Sequence, residues 1–189
     1  MRKYITPSEW KAFCEAINGS TTETRDKPMF FLAYQHGLRV SELTGLKTTD
    51  LDLESGTIFI KRLKNGFSTT HPLQKKTITL IKKWLEYRKT SYSLAQADNW
   101  LFVSSRGQRL SRQWVYKLSQ KYSLKARIPV AFHPHMLRHA CGYALANQGL
   151  DTRLIQDYLG HRNIHHTVLY TASNAARFSQ VWRTKQHGR

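Results

Sequence analysis

A short window of the sequence holds side chains that together can carry out the attack of a tyrosine on a phosphodiester. In chain order these residues are His135, Arg138, His161 and Tyr170. Arginine and histidine bind a phosphate and stabilise its transition state, and a phenol nearby can become the nucleophile. Two further candidates for this chemistry, Arg39 and Lys64, lie upstream. The residue types therefore predict phosphoryl transfer through a tyrosine.

Tyr170 is one of nine tyrosines, and most tyrosines only pack in a core or on a surface. The argument for Tyr170 rests on the cationic side chains around it. A phenol has an ordinary pKa near 10 and is protonated at neutral pH, so we expect the neighbouring cations to lower the pKa of Tyr170.

A metal site is the alternative use of the histidines, because His133, His135 and His139 lie close together. No cysteine or carboxylate lies among them to complete a usual zinc site, and Pro134 constrains the first two. The sequence also lacks a Walker-type phosphate loop and an acidic cluster for magnesium. Transesterification through a phosphotyrosine needs neither, so we expect no metal and no cofactor.

The charge of the chain points to a polyanionic partner. Thirty Lys and Arg stand against twelve Asp and Glu in 189 residues, which gives a net charge of +18 spread along the sequence. A folded domain this basic favours nucleic acid over a merely solvated surface, and a membrane surface is the weaker alternative. The length fits one domain, 1–189, with a single core.

Compartment signals favour the cytoplasm. No stretch approaches the length of a transmembrane helix, and the N-terminus lacks the apolar core of a signal peptide. Cys14 and Cys141 form neither a disulfide framework nor a CxxC pair, which fits a reducing compartment.

Local patterns predict a mainly helical fold with a small antiparallel sheet, of the α+β type. The capping-box spacing from Thr6 to Glu9 predicts a helix over Pro7–Ile17. Asn65-Gly66 indicates a hairpin with Lys64 beside its tip. The other predicted helices cover about 24–35, 40–46, 74–89, 111–126, 134–149, 151–160 and 174–183, and the predicted strands cover 57–60, 67–73 and 100–103.

At this point the chain resembles the tyrosine recombinases, or phage-type integrases. The matching features are Arg39 within GLRVSEL, Lys64 eight residues before Pro72, His135-x-x-Arg138, Leu159-Gly160-His161, and Tyr170 nine residues after that histidine. The resemblance runs from about Arg25 to Trp182. More narrowly, residues 62–73, 132–149 and 151–164 look like the small Fim-type recombinases that invert the promoter segment of fimbrial operons.

The resemblance implies a tyrosine recombinase catalytic-domain fold and a role for each candidate. Lys64 would be the general acid, and Tyr170 would form a 3′-phosphotyrosyl bond. Glu42 looks like the acidic residue that supports a catalytic arginine. The residues that would hold the scissile phosphate are then Arg39, Arg138, His135 and His161.

The implied function is a site-specific DNA recombinase that inverts a segment between inverted repeats, with control of fimbriae or another surface structure as its consequence. Its partners would be double-stranded DNA, a second protomer on each site, a tetramer in the synapse and accessory DNA-bending proteins, and it would act in the nucleoid. The alternatives are a type IB topoisomerase-like nicking and rejoining enzyme, which uses the same residues without a partner site, and a DNA-binding regulator without chemistry.

Two expectations concern domain organisation. The chain lacks the separate N-terminal core-binding domain of longer relatives, as the Fim-type proteins do. In the tail, 174–189, an apolar stripe of Ala175, Phe178 and Trp182 has helical spacing. Packing on the protein's own core is one reading of this stripe, and the resemblance suggests docking into a neighbouring protomer instead.

Overall fold

The structure is a computed structural model that describes residues 2–63, 66–92 and 99–172. Within these ranges, eight α-helices surround one small antiparallel sheet. The helices are α1 Pro7–Ile17, α2 Glu23–Gln35, α3 Val40–Thr44, α4 Lys75–Ser91, α5 Arg112–Lys125, α6 His135–Asn147, α7 Thr152–Leu159 and α8 His165–Ala172. The mainly helical fold class predicted from the sequence is confirmed.

Helix starts follow their capping residues closely. Thr6 accepts a hydrogen bond from the Glu9 N–H while the Glu9 carboxylate accepts from the Thr6 N–H, so the predicted capping box begins α1. Ser111 and Asp151 cap α5 and α7 more simply, because each side-chain oxygen accepts one hydrogen bond from a backbone N–H of the first turn. The third helix ends at Thr44 rather than at 46, because Gly45 terminates it.

The sheet joins β1 Leu51–Asp52, β2 Thr57–Ile60 and β3 Thr69–Pro72 in that order. Ile58 and Ile60 are buried while Phe59 between them is exposed, as the alternation of a strand with one buried face requires. The two-residue strand β1 was not predicted. The third strand begins at Thr69 and not at 67, and residues 64 and 65 lie outside the described residues.

The predicted strand at 100–103 is wrong. Its two ends form single bridges, Lys47 with Trp100 and Val103 with Arg109, instead of a ladder. Leu101, Phe102 and Val103 are buried, so this apolar run packs its side chains into the core without forming a strand. The predicted tail helix at 174–183 lies outside the described residues.

Two apolar clusters hold the fold together. The larger joins α1, α2, α4, α5, the sheet and the first half of α6, with Phe13, Phe30 and Trp84 among its largest buried side chains. The smaller joins α6, α7 and α8 and includes Cys141, Leu159 and Tyr170. The candidate nucleophile therefore lies in the packing between three helices. None of the helices in the described ranges is long and apolar enough to cross a membrane.

Candidate active site

Arg39 is placed by the tight turn between α2 and α3. Gly37 has φ +56°, and a Cβ there would lie 2.3 Å from the Leu159 side chain, so only glycine fits. Arg39 is the N-cap residue of α3, and its side chain is 24% exposed. The turn thus fixes the position of Arg39 and leaves its guanidinium partly exposed.

The Glu42 carboxylate is the centre of the charged part of the site. It accepts hydrogen bonds from the Arg39 guanidinium at 2.6 Å, the Arg39 N–H at 2.9 Å and the Arg62 guanidinium at 2.9 Å. Burial alone would raise the pKa of Glu42, but the Arg62 charge and the Arg39 hydrogen bonds outweigh it and lower that pKa. The structure therefore places an ionised Glu42 against Arg39.

Arg138 is 1% exposed and reaches the site from the second turn of α6. Its guanidinium donates to the carbonyls of Gly37 and Leu159, the latter at 2.7 Å. Burial, followed by the charges of Arg39 and Arg62, lowers the pKa of Arg138 to about 10. The group remains cationic at neutral pH despite its burial.

Arg62 was not predicted as part of the site. Its fully buried guanidinium binds Glu42 and donates to the carbonyls of His36 at 2.9 Å and Tyr158 at 2.6 Å. A Cβ on Gly160, whose φ is +65°, would lie 2.6 Å from the Arg62 Cγ. These partners lie up to 96 residues away in the chain, so no local pattern marks Arg62. We call Arg39, Glu42, Arg62 and Arg138 the arginine cage.

His161 and His135 lie on the other wall of the site. His161 is 8% exposed, and its Nδ1 is hydrogen-bonded to the Thr167 hydroxyl at 2.8 Å. Burial, followed by the charge of Arg138, lowers the pKa of His161 to about 3. His135 is exposed in the first turn of α6. Both rings can offer a nitrogen to a phosphate.

Tyr170 is 2% exposed, and its ring is parallel to that of His161, with centroids 6.4 Å apart. A Cβ on Gly142 would lie 2.6 Å from the Tyr170 ring, so glycine lets α8 approach α6. The expected lowering of its pKa is wrong. Burial outweighs the Arg138 charge and raises the pKa of Tyr170 to about 12.

His139 is the second residue that sequence reasoning missed, since it was considered only as a metal ligand. Its Nδ1 lies 3.0 Å from the Tyr170 hydroxyl oxygen. The signal that could have found it is its position one helical turn after His135 and directly after Arg138. We call His135, His139, His161 and Tyr170 the histidine–tyrosine face.

Arg39 and Arg138 of the cage and all four residues of the histidine–tyrosine face line one open cleft of about 840 Å³. Five of the predicted residues line it: Arg39, His135, Arg138, His161 and Tyr170. Arg153 and Arg162 add two more cations to its rim. Lys64 lies outside the described residues. The cleft thus combines fixed positive charge with a buried phenol, which suits an anionic phosphodiester.

Comparison with known proteins shows which family the chain belongs to. The model of the phage integrase family matches residues 3–177. The type 1 fimbriae regulatory proteins FimE and FimB of Escherichia coli (strain K12) are 51% and 49% identical over 181 residues, which is 96% of this chain and 91% and 90% of theirs. The crystal structure of XerH site-specific recombinase in its post-cleavage complex with palindromic difH substrate superposes with a TM-score of 0.80 at 26% identity, over 96% of this chain and 53% of that chain.

Proposed function

The chain belongs to the phage integrase family and is a tyrosine site-specific recombinase, and we propose that it inverts a DNA segment between inverted repeats. The switched segment would carry a promoter for fimbriae or another surface structure. Similarity to the FimE and FimB fimbriae regulatory proteins over nearly their whole length supports this target. The protein would act on double-stranded DNA in the cytoplasm.

The observation that carries the proposal is the meeting of Arg39, Arg138 and Tyr170 at one cleft. These residues come from the N-cap of α3, from α6 and from α8, and are up to 131 positions apart in the chain, 170 minus 39. A buried tyrosine with two arginines beside it has little use in a protein that only binds DNA. The geometry therefore favours strand cleavage over a regulator without chemistry.

In the proposed reaction, Arg39 and Arg138 bind the non-bridging oxygens of the scissile phosphate, and His135 and His161 add hydrogen bonds. The Tyr170 oxygen forms a bond to phosphorus as the bond from phosphorus to the 5′ oxygen breaks. Lys64 donates a proton to that leaving oxygen. The bond energy is kept in a 3′-phosphotyrosyl link, so rejoining needs no external energy source and no cofactor.

Assembly completes the proposal. A dimer would occupy each recombination site, and a tetramer would exchange the strands in two steps, with accessory DNA-bending proteins bringing the sites together. The whole chain would act as one catalytic domain, with its tail, 174–189, docked on a neighbouring protomer. Truncation after Ser173 should then abolish cooperative binding to paired half-sites while solubility remains.

The first experiment uses a promoter flanked by short inverted repeats, taken from the genome that encodes the protein. Cells that express the wild type should invert the segment, and cells that express Tyr170→Phe should not. The Phe variant should still bind the site within about tenfold of wild type, because one hydroxyl is lost from a phosphate-dominated interface. Recombination by the Phe variant would overturn the nucleophile assignment.

The second experiment separates inversion from the alternatives. A topoisomerase would relax a supercoiled plasmid that carries no recombination site, whereas an invertase requires two sites on one molecule. A regulator would bind the repeats without forming a covalent adduct on nicked DNA. Relaxation of site-free plasmid with no inversion, or specific binding with no adduct, would each contradict the proposal.

A further inference from the structure

Tyr170 must lose its proton when it attacks phosphorus, and the arginine cage contains no group that can take it. A guanidinium is always protonated, and the Glu42 carboxylate is occupied by two guanidinium groups and two backbone N–H groups. Burial makes deprotonation of Tyr170 harder still, since it raises the pKa of the phenol to about 12. A free phenolate would therefore be rare at neutral pH, and the attack requires a proton acceptor.

One side chain in the described part of the chain has a nitrogen at the phenolic oxygen. The His139 Nδ1 lies 3.0 Å from the Tyr170 Oη, within hydrogen-bond distance. His161 is stacked on the Tyr170 ring and uses its Nδ1 on Thr167, so it faces the phenol with its ring and not with that nitrogen.

Extending the proposed function, we infer that His139 is the general base that accepts the Tyr170 proton during cleavage. The tautomer with hydrogen on Nε2 presents the Nδ1 lone pair to the hydroxyl. The Tyr170 oxygen bonds to phosphorus, its proton goes to His139 Nδ1, and the 5′ oxygen leaves with the proton that Lys64 donates. Rejoining reverses each transfer, so the protonated His139 returns its proton to Tyr170.

The surroundings of His139 keep it in the form that a base requires. Burial, followed by the charge of Arg138, lowers the pKa of His139 below its usual value, so the free protein holds a neutral ring at neutral pH. A bound phosphate brings negative charge next to Arg138 and makes His139 more basic when the substrate is in place. The titratable and charged groups that face the ring are His133, His135, Arg138, Lys3 and Tyr170.

The test is His139→Asn, because asparagine can accept the Tyr170 hydrogen bond and cannot take the proton. On nicked DNA at about pH 7, covalent adduct formation should slow by a factor of order 10² to 10⁴. The ratio of wild-type to variant rates should shrink as the pH rises, because hydroxide replaces the missing base. A positioning role alone would give a ratio that does not change with pH.

Two further variants test whether a loss of activity comes from the missing base and not from misfolding. His133→Asn removes a half-buried histidine of the same segment that does not line the cleft, and its adduct rate should stay within about threefold of wild type. His139→Ala should regain activity when imidazole is added, since the cleft is open to solvent. This rescue would show that a folded protein lacks only the base.

The result that would overturn the inference is a His139→Asn variant that cleaves as fast as wild type, or a rate ratio independent of pH. Either result would leave the proposed function intact, because wild type would still form the adduct and Tyr170→Phe would not. Failure of wild type to form any adduct would instead contradict the proposed function itself. The two failures are therefore distinguished within one set of assays.

Discussion

The two walls of the cleft differ in charge: the side chains of the arginine cage are ionised, whereas those of the histidine–tyrosine face are neutral. In the arginine cage, Glu42 and several backbone carbonyls pair with three guanidinium groups, and all four side chains stay charged although three are buried. In the histidine–tyrosine face, hydrogen bonds join neutral partners, such as His161 with Thr167 and His139 with Tyr170. Burial there lowers the pKa of His139 and His161 and raises that of Tyr170.

This difference fits what each wall would contribute to the proposed phosphoryl transfer. Charge that stabilises a transition state is most effective when it is fixed before the substrate arrives, and the cage fixes it through buried pairs. A group that accepts a proton must instead be neutral before the reaction, and a permanent ion pair would prevent that. Variants that remove fixed charge and variants that remove a proton carrier should therefore fail in different ways.

The largest contrast is expected between Lys64→Ala and Arg138→Ala. Lys64→Ala should slow cleavage of normal DNA by a factor of order 10² to 10⁴, and a 5′-bridging phosphorothiolate should recover most of this loss. A thiol has a pKa of about 8.5, far below the pKa of about 15.7 for water, so a thiolate leaves without a proton. Arg138→Ala should not recover, because its charge is still missing in the transition state.

The same substrate also tests how the roles are divided. His139→Asn should show no rescue, since the proton that His139 takes comes from the nucleophile and not from the leaving group. Equal rescue of Lys64→Ala and Arg138→Ala, or rescue of neither, would contradict the role given to Lys64. His161 or His135 would then be the next donors to test.

Arg62→Met should destabilise the protein, because it removes a buried charge of the arginine cage. The substitution removes the fully buried guanidinium that pairs with the Glu42 carboxylate, and with it the donors to the His36 and Tyr158 carbonyls. We expect the free energy of unfolding to fall by about 3 kcal/mol, the cost of a buried charge that loses a partner. Denaturant titration measures this loss.

A double-mutant cycle shows whether the Arg62 effect comes from the buried pair. Glu42→Gln should reduce the free energy of unfolding less in the Arg62→Met background than in wild type. In that background the Glu42 charge has already lost its buried partner, so removing the charge costs little. Arg153→Met is the matched control, since Arg153 pairs with Asp157 at 3.7 Å on an exposed surface. That change should cost less than about 1 kcal/mol. Simple additivity of the two cage variants would argue against an energetically coupled cage.

The sequence predicts the positions of the candidate site residues better than their environment. Arg39 and His135 lie at helix starts, and turn and capping residues mark such starts locally. Arg62 could not be found in this way, because its contacts with Glu42 and Tyr158 depend on how distant segments fold together. The two-residue strand β1 was missed for a different reason, since two residues are too few to show an alternating pattern and the strand exists only through its pairing with β2.

The error in the expected pKa of Tyr170 has a related cause. The sequence shows that cations lie near the phenol, and each of them favours the phenolate. It does not show that the ring is 2% exposed between α6 and α8, and this burial outweighs the nearby charge. Charge can be read from residue types, whereas desolvation depends on packing.

Gly142→Ala should disturb the histidine–tyrosine face and leave the cage intact. The new Cβ would lie 2.6 Å from the Tyr170 ring, so the ring must move and its hydroxyl must shift from His139. Overpacking of this kind costs about 1–3 kcal/mol, partly offset by the better helix propensity of alanine. We expect adduct formation to slow while DNA binding is retained. A parallel loss of binding would show that the two walls are not independent.

A buried histidine pair, His36 and His71, lies outside the cleft, with its Nδ1 atoms 3.2 Å apart. Burial lowers the pKa of His36 to about 3 and that of His71 to about 4. The unfolded chain, with histidine pKa values of about 6.5, therefore binds more protons than the folded chain at intermediate pH. Stability should be retained above about pH 6.5 and lost as the pH falls towards 4. His71→Gln should reduce this slope by up to about 1.4 kcal/mol per pH unit, the value for one proton. An unchanged slope in denaturant titrations across this range would mean that His71 is protonated in the folded protein.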